Sequence, residues 1–293
     1  MVQELPRIRS HSAFPESAPT AYPVFYRTYS RKGETAAGER ETWSQVCDRT
    51  LAGLVELGQL TDDEQRLIAR MQREIKALPS GRWLWVGGTE WSKRPENFSG
   101  AYNCTSTNVV DWQAFGLMMD LAMMGCGTGA VLEPKYINQL PVVRNRLQVM
   151  QEGAIGTTSV GRRREVTEVV FEGNHVRIHV GDSRQGWVQS YQSILELCSD
   201  DRFTNDVTVV VDLSDVRPAG EKLKGFGGVA NPVKLPTLYE RCAHILNKAI
   251  GRQLNSVECC LLIDEAAACV VAGNIRRSAG MRQFASESPS RVR

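Results

Sequence analysis

The stretch AYNCTSTNVV places one thiol, Cys104, in polar surroundings between an aromatic-rich run and an apolar helix. A thiol so placed is open to nucleophilic or redox chemistry, whereas a cysteine among apolar residues packs as a small, inert hydrophobe. For an isolated cysteine the packing role is the commoner one, and Cys104 departs from it only through its polar neighbours. Cys259, Cys260 and Cys269 fall in an apolar helix and read as core. None of the eight cysteines has C-x-x-C spacing, which argues against a thioredoxin-type motif and a zinc ribbon. His175 and His179 alternate in a hairpin pattern with no acidic partner at metal-ligand spacing, so no metal is expected and neither histidine is assigned any chemistry.

Three glycine-bearing segments invite a ligand reading. GCGTG (125–129) follows a helix and precedes a strand, the reverse of the strand, glycines, helix order of a dinucleotide site, and reads as a tight turn. KGFGGVANP (224–232), flanked by Lys222 and Lys224 and followed by a helix from Leu235, fits a phosphate cradle: glycine lets backbone N–H groups approach an anion, and the helix N-terminus favours negative charge. It lacks the G-K-[ST] ending of a P-loop and fits a surface loop equally well. In AGNIRRSAG (272–280), Arg276 and Arg277 can grip phosphate or carboxylate through bidentate hydrogen bonds, or form a solvated basic turn after a helix end.

Several elements must position these residues. The aromatic run YPVFYRTYSR (22–31) is expected to pack on the body. Apolar residues from Trp43 to Leu57 recur at helical spacing, and Thr61 with Glu64 forms a capping box for a second helix through Leu78, giving an antiparallel pair. LPSGRWLWVGGTEW (78–91) alternates Trp83 and Trp85 and stops at Gly87-Gly88, a short buried element. The segment 112–125 is apolar nearly all round and predicts a helix buried on most faces. Residues 165–180 alternate about Glu172-Gly173-Asn174 as a hairpin. A helix from Arg184, the apolar run 207–213, and helices near 235–250 and 255–272, the last capped by Asn255 and Glu258, complete an α/β pattern. The boundary is placed near residue 90, with a helical region 1–90 before a 91–293 α/β region.

With 42% hydrophobic residues in 293 the chain can bury a real core, and a net charge of +2 gives no global attraction to polyanions. No apolar run is long enough to span a membrane and the first residues lack a signal-peptide pattern, so a cytoplasmic protein with free thiols is expected. Composition and spacing do not identify the reaction.

The ordered set FYRTYSR, LPSGRWLWVGGTEW, NCTSTNVV, MGCGTGAV, DSRQGWVQS, VDLSDVRPAGEKLKGFGG and CVVAGNIRRSA, from about residue 22 to 284, resembles the N-terminal part of the adenosylcobalamin-dependent (class II) ribonucleoside-triphosphate reductases of monomeric type. The resemblance implies a helical segment followed by the first half of a ten-stranded α/β barrel built around a finger loop, with a hairpin insertion near 150–185 covering an effector site. It also implies reduction of a ribonucleotide 2′-hydroxyl for DNA precursor synthesis. Adenosylcobalamin would generate a thiyl on a finger-loop cysteine, and a cysteine pair would deliver the reducing equivalents. Cys104 matches the first cysteine of that pair, with Asn103, Gly125 and Gly127 beside the substrate. Gly227, Gly228, Val229 and Ala230 match one deoxynucleotide-effector loop, and Arg276, Arg277 and Ser278 a second. The implied partners are a ribonucleoside triphosphate, a deoxynucleotide effector and a thioredoxin-like reductant, with no nucleic acid and no membrane.

Two departures from the pattern stand out. Cys126 occupies a position where related sequences carry glycine, making it a candidate for adventitious oxidation, and Asn231-Pro232 shortens the first effector loop. The sequence given stops before the Asn-Pro-Cys-Gly-Glu finger loop, the second cysteine of the reducing pair and the C-terminal cysteine pair. The expectation is that this polypeptide alone does not turn over, being a truncated reading frame, a piece of a split enzyme completed by a C-terminal chain, or a segment of a longer chain. The rivals are an inactive deoxynucleotide-binding regulatory fragment and a non-functional remnant.

Overall fold

Threonine capping starts the first long helices. In the computed structural model, which describes residues 14–32, 40–204, 206–221, 231–270 and 278–286, the side chains of Thr42 and Thr61 accept from the N–H groups of Gln45 and Glu64. Those two side chains reach back in turn, closing capping boxes on the helices that begin at Trp43 and Asp62.

The chain divides into two units, Met1–Ala101 and Tyr102–Arg293. In the first, α1 (Ala21–Val24) runs into a π-helical turn, Phe25–Tyr29. Phe25 packs edge-on against Trp43 at 5.2 Å, so the aromatic run is anchored as its composition suggests. Helices α2 (Trp43–Gly58) and α3 (Asp62–Arg73) are antiparallel: Trp43 Nε1 donates to the Arg73 carbonyl at 3.0 Å, and Gln72 Nε2 to Thr50 Oγ1 at 2.6 Å. The second helix stops short of the expected Leu78 because Ile75 takes a left-handed φ of 56°. The tryptophan segment is a short helix, α4 (Gly81–Val86), which buries Leu84 and Val86; the Ser80 side chain accepts from the Trp83 N–H and starts it. α5 (Glu90–Lys93) and a 3-10 segment, Pro95–Ala101, close the unit.

The second unit holds two sheets. β1 (Cys104–Asn108), α6 (Trp112–Met123), β2 (Gly127–Val131) and α7 (Pro134–Ile137) come first. Next are β3 (Leu147–Glu152), β4 (Glu168–Glu172), β5 (His175–His179), α8 (Arg184–Leu197) and β6 (Val207–Asp212). α9 (Leu235–Asn247), α10 (Ser256–Cys269) and β7 (Ala279–Gln283) follow. Strands β1, β2 and β7 form a parallel three-stranded sheet in that order. Strands β3, β6 and β5 are parallel, and β4 adds to β5 as the antiparallel arm of the expected hairpin.

The core lies where α6, α8, α9 and α10 meet and where α9 covers β3; Phe115, Met118, Tyr191, Ile194, Tyr239 and Leu262 are all buried there. Two buried hydroxyls are satisfied inside it, Tyr191 on the Leu262 carbonyl at 2.9 Å and Tyr239 with Ser190 at 2.7 Å. β6 buries Val207, Val209 and Val211 on one face, the alternation of a sheet covered on that side. The Asn255–Glu258 capping box of α10 is present. No helix among the described residues is long and apolar enough to cross a membrane.

Candidate functional site: a thiol at the entrance of a parallel sheet

Cys104 is the first residue of β1 and is exposed, so the polar stretch is a strand with its thiol at the entrance. The other seven cysteines are buried or half-buried. Burial pushes the Cys47, Cys198 and Cys269 thiols up to about 12, and Cys242 and Cys259 higher still, which leaves them without thiolate at neutral pH. Cys104 is thus the one thiol of this chain with ready access to a reagent or a second thiol.

In register, Cys104 pairs with Gly127, and Gly127 with Ala279. The Gly127 N–H donates to the Asn103 carbonyl at 2.6 Å, and Thr105 Oγ1 donates to the Gly127 carbonyl at 3.2 Å. A Cβ at position 127 would lie 3.8 Å from Cys104 Sγ, so glycine keeps that flank of the sulfur clear. Ser278, just before β7, donates its hydroxyl to the Cys126 carbonyl at 3.0 Å. The structure therefore gathers Asn103, Cys104, Gly127 and Ser278 at one end of one sheet. Gly227, Gly228, Val229, Ala230, Arg276 and Arg277 lie outside the described residues.

Gly125 has a structural explanation of its own. Its φ is 69°, its N–H bonds the Ala122 carbonyl, and the next N–H, of Cys126, bonds the Leu121 carbonyl, each at 2.9 Å. These two bonds close α6 as a Schellman motif, which needs a left-handed residue there. Cys126 is fully buried, with its thiol 3.4 Å from the Tyr102 carbonyl. That burial removes the access that adventitious oxidation requires, contrary to the expectation from its position.

A charged network that the sequence reading missed lies at the carboxyl ends of β5 and β6. Arg163 donates to both Glu221 oxygens at 2.8 Å and lies 3.5 Å from Asp182, whose other oxygen takes Arg217 Nε at 2.8 Å. Arg164 Nε bonds Asp215 at 2.6 Å. Burial would raise the Asp215 carboxyl, but the hydrogen bonds from Arg164 and Thr158 outweigh it and hold the group below the usual range. His179 Nδ1 faces Asp212 at 2.9 Å, an acidic partner that only the parallel pairing of β5 with β6 supplies. The signal in the sequence was the run GRRRE (161–165) opposite DLSDVRP (212–218). Among the described residues no group of three metal-binding side chains occurs. Between α6 and α8 lies a polar groove of about 400 Å³, lined by Asp120 and the glutamines 185, 189 and 192.

Residues 141–245 match the insertion domain of B12-dependent ribonucleotide reductases, a span containing the whole four-stranded sheet with α8 and most of α9. The chain is similar to the adenosylcobalamin-dependent ribonucleoside-triphosphate reductase of Lactobacillus helveticus (strain DPC 4571), 26% identical over 95% of this chain and 43% of the relative. To that of Levilactobacillus brevis it is 28% identical, over 87% and 40%. A protein of Mycobacterium phage D29, named a putative reductase of the same kind, is 30% identical over 90% and 39%. A crystal structure of a B12-dependent (class II) ribonucleotide reductase superposes with a TM-score of 0.72 at 23% identity, covering 90% of this chain and 41% of that one. The chain thus has the fold of the first part of such a barrel, resembles an N-terminal part of these reductases, and spans about two fifths of their length.

Proposed function

We propose that this chain supplies the Cys104 side of the reducing centre in an adenosylcobalamin-dependent ribonucleoside-triphosphate reductase. The observation that carries the reading is the placement of Cys104: the one exposed cysteine of eight, at a strand entrance, beside a glycine that leaves its sulfur uncovered.

The overall change balances as ribonucleotide plus two thiols giving 2′-deoxyribonucleotide, one disulfide and water. Two electrons and two protons leave the thiols, the C2′–O bond breaks, and the oxygen departs as water. Cys104 provides one of the two thiols. With its seven companions buried or half-buried, the second comes from outside this chain, as the resemblance also implies. The resulting disulfide must be reopened by a further dithiol such as a thioredoxin-like reductant, and an exposed strand entrance leaves the sulfur open to that attack.

Adenosylcobalamin, named for the relatives, would supply the radical that starts the reaction. None of this chain's residues is assigned to the corrin.

Substrate contact is assigned to Asn103 and Gly127. Gly125, also matched to the substrate region, acts on this reading through the cap it gives α6. Effector binding is assigned to Gly227, Gly228, Val229, Ala230, Arg276 and Arg277, with Ser278 where the second segment meets the sheet.

The test is to capture from native cells the species that carries the Cys104 peptide, read its intact mass, and assay cobalamin-dependent conversion of a ribonucleoside triphosphate with wild type and C104S. Turnover that C104S abolishes is expected. Full turnover by C104S would overturn the reading.

A further inference from the structure

Cys126 is the point where three segments meet, each through a different polar group. Its N–H donates to the Leu121 carbonyl at 2.9 Å, inside the cap of α6. Its thiol donates to the Tyr102 carbonyl at 3.4 Å, two residues before Cys104. Its carbonyl accepts from Ser278 Oγ at 3.0 Å, at the entrance of β7. The next residue, Gly127, bonds the Asn103 carbonyl and stands in register between Cys104 and Ala279.

We propose that Ser278 is a positioning residue for Cys104: its hydroxyl, acting through the Cys126 backbone, sets where the entrance of β1 presents the thiol. The path is short and runs through one residue, Cys126, and its neighbour Gly127. From Ser278 Oγ it reaches the Cys126 carbonyl, and from the same residue one hydrogen bond reaches Tyr102 while the following peptide N–H reaches Asn103. Strand pairing alone leaves the first residue of a parallel strand held from one side, because register bonds begin there. The thiol tie to Tyr102 and the Gly127–Asn103 bond extend that hold to the two residues before Cys104, and the serine tie fixes the Cys126 end of it.

Other hydroxyl and guanidinium bonds confirm that β7 is fastened to β2 independently of Ser278. Thr128 Oγ1 donates to the Ala279 carbonyl at 3.3 Å, and Arg282 Nη1 to the Thr128 carbonyl at 3.2 Å. Loss of the Ser278 hydroxyl should therefore act locally at the strand entrances and leave the sheet assembled. The functional weight of the proposal rests on the reading of Cys104 as a redox thiol; the geometry does not.

The experiment compares S278T and S278V, near-isosteric side chains that differ by a hydroxyl for a methyl, in the 293-residue chain. Alkylation rates of Cys104, Cys126 and Cys198 by iodoacetamide are read by peptide mass spectrometry, beside the thermal midpoint of each variant. In wild type and S278T, Cys126 should be as protected as the buried Cys198. In S278V, Cys126 should label about fivefold faster, the change expected when one hydrogen bond no longer resists local opening, and the Cys104 rate should shift with it. Cys198 should stay at its wild-type rate.

Unchanged Cys104 and Cys126 rates in S278V would overturn the proposal. So would a parallel rise at Cys198, which signals general loosening, or a failure of S278T to keep the wild-type rates. Alkylation needs no nucleotide or cobalamin, so this result is separate from the C104S turnover result that decides the function.

Discussion

Two glycines of β2, two residues apart, should respond in opposite directions to the same added methyl. At Gly127 a Cβ would stand 3.5 Å from the Asn103 carbonyl oxygen and 3.8 Å from Cys104 Sγ, ordinary contacts that require no movement. At Gly129 it would stand 2.7 Å from the Thr105 carbonyl oxygen and 3.4 Å from Ser106 Cα, both backbone atoms of the neighbouring strand, so β1 must be pushed away. Replacing glycine by alanine without strain stabilises by about 0.4–1 kcal/mol, because the unfolded chain loses freedom. Forcing an extra methyl into a packed position costs about 1–3 kcal/mol. G127A should thus be slightly more stable than wild type and G129A less stable, with a gap of about 1–3 kcal/mol between them. In a unit of this size each kcal/mol moves the thermal midpoint by about 2–4 °C, a separation that calorimetry resolves. The same G127A methyl should slow alkylation of Cys104 while leaving the fold intact. A G129A midpoint equal to or above that of G127A would refute the strand spacing inferred for this sheet.

The cap of α6 gives a second contrast. G125A should cost about 1–2 kcal/mol, and G125N less, because asparagine tolerates the left-handed backbone; thermal unfolding of both variants checks it. Equal midpoints for the two would mean that the left-handed cap is not what the position demands. Among the thiols, iodoacetamide at neutral pH should modify Cys104 first, with Cys47 and Cys198 unlabelled until the chain unfolds, as peptide mapping over time would show. Asp215 bears on acid stability: its carboxyl is held below its ordinary value in the fold, so its contribution is present above the unfolded value of about 3.9 and is lost as pH falls through the folded one. D215N should be less stable than wild type in urea at pH 7 and should flatten the loss of stability as pH falls below about 4.

What the sequence made legible was whatever its own neighbours decide. The capping boxes at Thr61 and Asn255, the hairpin about Gly173 and the helix from Arg184 depend on residues a few positions apart, and all are in place. The short buried element around Trp83 and Trp85 is there, but its helical form is set by the Ser80 cap, which alternation in so short a run does not reveal. The relation of His179 to Asp212, of Arg163 to Glu221 and of Ser278 to Cys126 could not be read, since each depends on tertiary pairing across 33 to 152 positions of chain. Cys104 was found by motif, and what the fold adds is its neighbours: a glycine that uncovers it and a buried cysteine that ties down its approach.

The sheet that carries Cys104 also has a history in time. β7 pairs with β2 across 152 positions, and the intervening chain contains the entire four-stranded sheet and its helices. A ribosome adding about 5–20 residues per second needs roughly 8–30 s to supply β7 after β2 has emerged. The intervening sheet closes shorter loops and can form within that interval, whereas β7 must wait for its partner's distant continuation. The thiol site is therefore among the last parts of this chain to be completed, and Cys104 acquires its final surroundings only after the chain around it has been made.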